Sequence, residues 1–454
     1  MRDVSPFHSS LSVGKASRIQ AQRSDSYSRY TLLFVYANLL SSLYTEMHGD
    51  GFIALVGNYN LWSTDIASLT GVPMVLSAIY NRSNHFNVPR IILLCWLGLM
   101  AFSLTRGILI SPFEALFSFR PHAAFCVALF AFSLRPVDPA MFWKICRAFI
   151  WTGVGIAMLA FARRYISPGL FAAANQDFLL TDRPIFSPSA LILGEAVIFV
   201  MSQRQLAAKL RSSGIGSRTI LTFVLIAGLL VTGQRTAAIA TVMGAAIIAI
   251  DITRLRFGGL VNPVTFFGGL IVFVVAGTVG AGQLLSLLPK TFTAGDAVGD
   301  LQLRYAIWAS IMENFSSWPI FMQLFGKADP WTLFWYLGVG NSVDTRSAHN
   351  ELFGAVLNVG ILGVFLIVGA VATCVAGAVG AQFRNWSRNA SGLSPALVLA
   401  LLVTLIIYGV SYEWLFEQGI VLGLCAAGWP RRKFAGRRLK SGAIGKKMNF
   451  QGAS

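Results

Sequence analysis

The segment Ser347-Ala-His-Asn-Glu-Leu-Phe353, followed by Gly360-Ile-Leu-Gly363, places a lone histidine, His349, at the end of a long polar stretch and at the mouth of an apolar run. Imidazole titrates near neutral pH, so a histidine at such a boundary is suited to taking or giving a proton. Two arginines also stand where a cation needs a reason. Arg235 lies in Gly233-Gln-Arg-Thr236, a tight turn between two apolar runs, near the depth at which a charge is costly unless it is paired or faces water. Arg304, Trp308 and Ile311 follow the i, i+4, i+7 spacing of one helix face. A guanidinium stays charged and grips phosphate oxygens through paired N–H donors. Each residue also has a structural reading. Arginine stems snorkel to headgroups, and Asn350 and Glu351 suit the first turn of a helix.

The elements that must position these residues are membrane helices. The chain has 454 residues, 55% of them hydrophobic and 12% charged, where a soluble protein would carry about 25% charged residues. Apolar runs near the length of about 20 residues needed to span a bilayer recur throughout. We read twelve spans, starting near residues 30, 66, 91, 121, 145, 186, 219, 236, 264, 353, 395 and 414. The expected fold class is all-α: a polytopic bundle with residues 30–284 holding spans one to nine and 353–428 holding spans ten to twelve. A large helical loop, 285–352, separates the two, and basic tails occupy 1–29 and 429–454. The polar, basic first 29 residues have no cleavable signal pattern, so the run from Tyr30 to Met47 is expected to act as an uncleaved anchor.

The net charge of +17 is a topology signal. On these spans 26 of the 36 Lys and Arg residues fall on one side, which the positive-inside rule makes cytoplasmic together with both termini. That distribution argues for anionic membrane lipid rather than nucleic acid as the partner of the basic surplus. The five cysteines lack the spacing of a disulfide framework or zinc site.

Ten basic residues remain on the outer side: Arg106, Arg120, Arg163, Arg164, Arg183, Arg235, Lys290, Arg304, Lys327 and Arg346. An anionic ligand is one reason for them. Leu303, Ile307, Ile311 and Phe315 recur at helical spacing and predict an amphipathic helix lying on the membrane. Gly338-Val-Gly-Asn341 predicts a flexible turn, and Asp50–Thr64 a possible re-entrant piece. Glu195 is the carboxylate well inside a span, where it either pairs with a neighbour or lines a cavity. Glu413 and Glu417 fall at an outer turn, where acceptor contact and plain solvation are both open and solvation is the preferred expectation. His8, His48, His85 and His122 lack metal-like spacing and read as surface or interface residues.

Thr232-Gly-Gln-Arg-Thr-Ala-Ala238, Arg304-Tyr-Ala-Ile-Trp308, Gly338-Val-Gly340 and Ala348-His-Asn-Glu-Leu352 with Gly360-Ile-Leu-Gly363 resemble, in order and topology, the O-antigen ligase and polymerase superfamily. Arg183-Pro-Ile-Phe-Ser-Pro-Ser-Ala-Leu191 is similar to a weaker segment of that family. The likeness spans about residues 180–365; earlier residues match by hydropathy alone. Gln234 stands where small residues are common before the arginine, and Phe325-Gly-Lys327 is less glycine-rich than usual.

The resemblance implies an inner-membrane, metal-independent and cofactor-free glycosyltransferase with its active site at the periplasmic face. The donor would be a glycan on a polyprenyl diphosphate. The acceptor would be a sugar hydroxyl on a lipid-linked glycan or the lipid A core. It further implies His349 as the functional histidine and Arg235 with Arg304 as the diphosphate-binding pair. Arg183, Glu195, Arg346, Asn350 and Glu413 are possible supporting residues. Two other classes compete: a transporter or flippase for lipid-linked sugars, and a non-catalytic partner in polysaccharide assembly.

Overall fold

The computed structural model describes residues 8–48, 52–56, 59–83, 86–166, 184–207, 215–256, 294–327, 335–337, 343–345, 350–383, 394–414 and 416–427. Most of them are helical. In chain order the helices are α1 (His8–His48), α2 (Ser63–Tyr80), α3 (Val88–Ile110), α4 (Pro112–Leu134) and α5 (Pro139–Phe161), the last continuing into a π-turn at Ala162–Ile166. There follow α6 (Ser187–Ala207), α7 (Ile215–Val231), α8 (Arg235–Arg256), α9 (Ala294–Ser317), α10 (Ile320–Phe325), α11 (Glu351–Phe383), α12 (Pro395–Gly409) and α13 (Glu417–Ala427). Among the described residues three helical stretches are long and apolar enough to cross a membrane: Val88–Ile110, Ala140–Ile166 and Glu351–Gly380. Several of the others are shorter apolar helices. A helix stands at or close to each expected span start except residue 264, which lies outside the described residues. Within Asp50–Thr64 the described residues form a small antiparallel hairpin, Phe52–Val56 with Tyr59–Trp62.

Local sequence sets several of these boundaries. Asn87, Asp138 and Ser394 each accept a bond from a backbone N–H three residues on, and each has proline at the first or second helical position. A short polar acceptor followed by a residue with no N–H to lose is a strong helix start. The helices then pack through one continuous apolar core. α11 lies between α3 and α12; α8 packs on α12 and α6; α13 packs on α4. Small residues allow the closest approaches. A Cβ at Gly228 would sit 2.4 Å from the Ala157 Cβ, and one at Gly244 would sit 2.4 Å from the Thr404 hydroxyl.

Two of the ten basic residues that the positive-inside rule leaves unexplained are structural. Arg120 pairs with Asp65 at 2.8 Å. Arg163 is buried and pairs with the fully buried Glu46 at 3.4 Å. Arg163 also donates to the Pro184 carbonyl (2.8 Å) and to the Glu46 carbonyl, while the Glu46 Oε1 accepts from the Phe186 N–H (2.9 Å). This pair pins the 184–187 segment, and through it the start of α6, to α1 and the end of α5.

α11 is interrupted at Gly360, which has φ 68° and ψ −172°. The end of α10 enters that break. A Cβ at Gly360 would lie 2.4 Å from the Leu324 carbonyl, and one at Gly326 (φ 78°) would lie 2.7 Å from the Asn358 carbonyl carbon and oxygen. The freed backbone is satisfied from outside the helix: Leu357 O accepts from Lys327 N (3.1 Å) and Asn358 O from Ser103 Oγ (2.5 Å). Two glycines at positive φ therefore meet backbone to backbone, where no side chain fits.

Two expected outcomes follow from this packing. Glu46→Ala leaves the Arg163 guanidinium buried without its counter-charge and lowers stability by about 3–5 kcal/mol. Gly360→Ala is destabilised by at least about 1–2 kcal/mol from the left-handed backbone alone. Thermal unfolding of the detergent-purified protein checks both.

Candidate functional site

α12 ends at Gly409 and α13 begins at Glu417. The backbone between them, residues 410–414, is bonded by side chains from two other elements, α9 and the start of α11. Val410 O accepts from Asn350 Nδ2 at 2.9 Å. Ser411 O accepts from Arg304 Nη1 at 2.5 Å. The Tyr412 ring lies under the same guanidinium, with its centroid 4.9 Å from Arg304 Cζ. The Tyr412 hydroxyl points at Gln234 Oε1, 3.5 Å away. Trp414 N donates to Glu351 Oε2 at 2.6 Å. One turn thus touches Arg304, the neighbour of Arg235, and the two residues that follow His349.

Each of these side chains is delivered by a locally determined element. After α7, Gly233 (φ 68°) reverses the chain. Thr232 Oγ1 accepts from Gln234 N (3.2 Å), and Gln234 O accepts from Ala238 N (3.0 Å), which starts α8 with Arg235 as its first residue. Gln234 is buried and donates through Nε2 to Ile185 O (2.9 Å). It therefore joins the 184–187 segment to the turn that carries Arg235. A small residue in its place could make neither contact.

Arg304 is aimed by α9. Of the apolar stripe read from the sequence, Ile307 and Ile311 are buried against Leu357 of α11, and Trp308 stacks on Phe353 with centroids 5.5 Å apart and planes 13° from parallel. The stripe thus docks on the first turns of α11. Arg304, one turn before Trp308, reaches Ser411.

Asn350 is the helix-start residue that its type suggests. Its Oδ1 accepts from Leu352 N (2.8 Å) and Phe353 N (3.3 Å), while its Nδ2 reaches across to Val410. Glu351 is buried and fixes Trp414.

Arg235 differs electrostatically from Arg163. Its Nε and Nη2 are buried, and among the described residues neither has a hydrogen-bond partner. A guanidinium has five donors and no acceptor, so unpartnered buried N–H groups call for an anionic or carbonyl oxygen.

Other candidates are placed differently. Glu195 lies within α6, fully buried, and neither carboxyl oxygen has a hydrogen-bond partner among the described residues. Glu417 is also fully buried, so the solvated state expected for it is incorrect; its Oε1 accepts from Gln418 (2.8 Å). Glu413 is partly buried and lines a small cavity together with Trp96, His122, Glu351, Gly354 and Trp414, with space for about one water. His122 is accordingly an interior residue rather than a surface one. Arg183, Arg346 and His349 lie outside the described residues, as does Gly338-Val-Gly-Asn341. That stretch connects two short paired strands, Trp335–Leu337 and Val343–Thr345.

Sequence reasoning missed Ser411, Tyr412 and Gln234 as members of this cluster. Ser411 contributes only a backbone carbonyl, which has no sequence signature. Gln234 was visible as a departure from the usual small residue before the arginine. Comparison with known protein families and with curated proteins finds no match for this chain.

Removing the Glu351 carboxylate strands the Trp414 N–H. Glu351→Ala should therefore cost about 1–3 kcal/mol, and Glu351→Gln, which keeps an acceptor oxygen, clearly less. Chemical or thermal unfolding of the two variants side by side measures the difference.

Proposed function

We propose that this protein is a membrane-embedded glycosyltransferase of the O-antigen ligase and polymerase type. It would have about twelve spans, both termini in the cytoplasm and its site at the periplasmic face of the inner membrane. Its donor is a glycan carried on a polyprenyl diphosphate, and its acceptor a sugar hydroxyl of a lipid-linked glycan or of the lipid A core. Polymerisation is the preferred form, with transfer to the lipid A core as the variant that differs only in acceptor.

The single observation that carries the reading is the gathering of three separated motifs on residues 410–414, with Arg235 presenting buried donors that no described residue satisfies. Arg235 and Arg304 act as the anion clamp. As the bond from the anomeric carbon to the diphosphate oxygen breaks, negative charge grows on the departing diphosphate, and two fixed guanidinium groups stabilise it most in the transition state. His349, next in sequence to Asn350, takes the proton of the incoming hydroxyl as the new bond from the anomeric carbon to the acceptor oxygen forms. The diphosphate leaves as a stable anion and needs no general acid. One displacement inverts the anomeric centre.

The buried Glu195 and Glu417 favour a second reading, a transporter of lipid-linked sugars, because carboxyl groups inside a bundle are features of ion-coupled carriers. Transfer by the purified protein in liposomes, with lipid-linked donor and no energy source, separates the two.

In that assay His349→Ala should abolish transfer while the protein still inserts and unfolds cooperatively. Arg235→Ala and Arg304→Ala should each lower turnover by about 10²–10³-fold, the scale of losing one transition-state anion contact. Full transfer by the His349 variant would remove the base from the mechanism. Chain-length analysis of surface polysaccharide from a deletion strain then distinguishes polymerase from ligase.

A further inference from the structure

Tyr412 lies outside the three motifs, and its side chain contacts two of them. Its ring supports the Arg304 guanidinium at 4.9 Å, and its hydroxyl faces the Gln234 Oε1 at 3.5 Å, one residue before Arg235. Its neighbours fix it from both sides. It stacks on the buried Tyr408 with centroids 4.9 Å apart and planes 24° from parallel, and Tyr412 N donates to Tyr408 O at 3.0 Å. Gln234 is in turn held by its bond to Ile185 O. A chain of contacts therefore runs from Arg304 through Tyr412 and Gln234 to the first residue of α8.

A cation–π contact engages the charge of a guanidinium and not its N–H donors. Arg304 is thus held in place by Ser411 O and the Tyr412 ring while most of its five donors are not consumed by that support. Arg235 is held by its backbone at the start of α8, with two buried side-chain donors unpartnered among the described residues. Separate arginines on separate helices bind one diphosphate well only if their separation is fixed before the ligand arrives, because a loose pair loses side-chain entropy on binding.

We propose that Tyr412, together with Gln234, is a positioning residue that sets the spacing between Arg235 and Arg304, so that both address one diphosphate. The inference rests on the anion-clamp reading above and names the device that makes a clamp of two distant arginines. It also gives Gln234 a role: a small residue at that position could not meet the tyrosine hydroxyl.

The test uses the full-length protein in detergent with farnesyl diphosphate as the probe, its binding measured by calorimetry for the wild type, Arg235→Ala, Arg304→Ala, Tyr412→Phe, Tyr412→Leu and Tyr412→Leu/Arg304→Ala. Tyr412→Leu should weaken binding by about 2- to 30-fold, the range of one cation–π contact. Tyr412→Phe, which keeps the ring, should weaken it less. The double variant should bind no worse than Arg304→Ala, because with one arginine gone there is no spacing left for Tyr412 to set.

Should Tyr412→Leu fail to fold, the hydroxyl arm carries the test: Tyr412→Phe and Gln234→Ala should each weaken binding, and their combination should match the weaker of the two. Unchanged affinity in the folded tyrosine variants, or losses that simply add to those of Arg304→Ala, would overturn the positioning role. If instead Arg235→Ala and Arg304→Ala themselves bind farnesyl diphosphate as the wild type does, it is the clamp that fails.

Discussion

The turn at residues 410–414 holds α9, α11, α12 and α13 together at one end, and it does so largely with backbone groups. Two of its carbonyls and one of its N–H groups are taken by side chains from α9 and from the start of α11. Backbone groups at a helix end have lost their intrahelical partners and must find others. Here the carbonyls of Val410 and Ser411, just past α12, and the Trp414 amide before α13 find them in Asn350, Arg304 and Glu351. The need to satisfy a helix terminus and the need to gather distant motifs are met by the same bonds.

That arrangement makes the geometry of the arginines a consequence of helix packing. Arg304 is directed by Ile307, Ile311 and Trp308, whose burial against Leu357 and stacking on Phe353 seat α9 on α11. α11 is in turn registered by its break at Gly360, into which α10 and Gly326 fit with no room for a side chain. A change at the break would move the platform on which α9 rests. The two halves of the motif set are joined through Gln234, which bonds to Ile185 in the segment that the buried Glu46–Arg163 pair pins in place.

The cations that the positive-inside rule leaves unexplained fall into different physical classes once their surroundings among the described residues are known. Arg120 and Arg163 are neutralised by Asp65 and Glu46 and hold helices together. Arg304 is held by a carbonyl and an aromatic ring, neither of which cancels its charge. Arg235 keeps buried donors without a described partner. Residues that the positive-inside rule leaves equally unexplained are thus separated by whether their charge is cancelled locally. Uncancelled positive charge beside polar backbone is what an anion-binding role requires.

The sequence by itself determined the elements. Apolar runs of near-span length, capping residues followed by proline, and the stripe from Leu303 to Phe315 dictate helices, because those patterns act within a few residues of themselves. It also marked Arg235, Arg304 and His349 by type and position, and Asn350 as a helix-start residue. Only the tertiary structure decided which cations are paired, that Glu417 and His122 are interior, that Asp50–Thr64 holds a hairpin, and that Tyr412 and Ser411 belong with the arginines. Apart from the hairpin, those facts depend on contacts between residues distant in the chain, many of them to backbone carbonyls, which every residue possesses and no residue type announces.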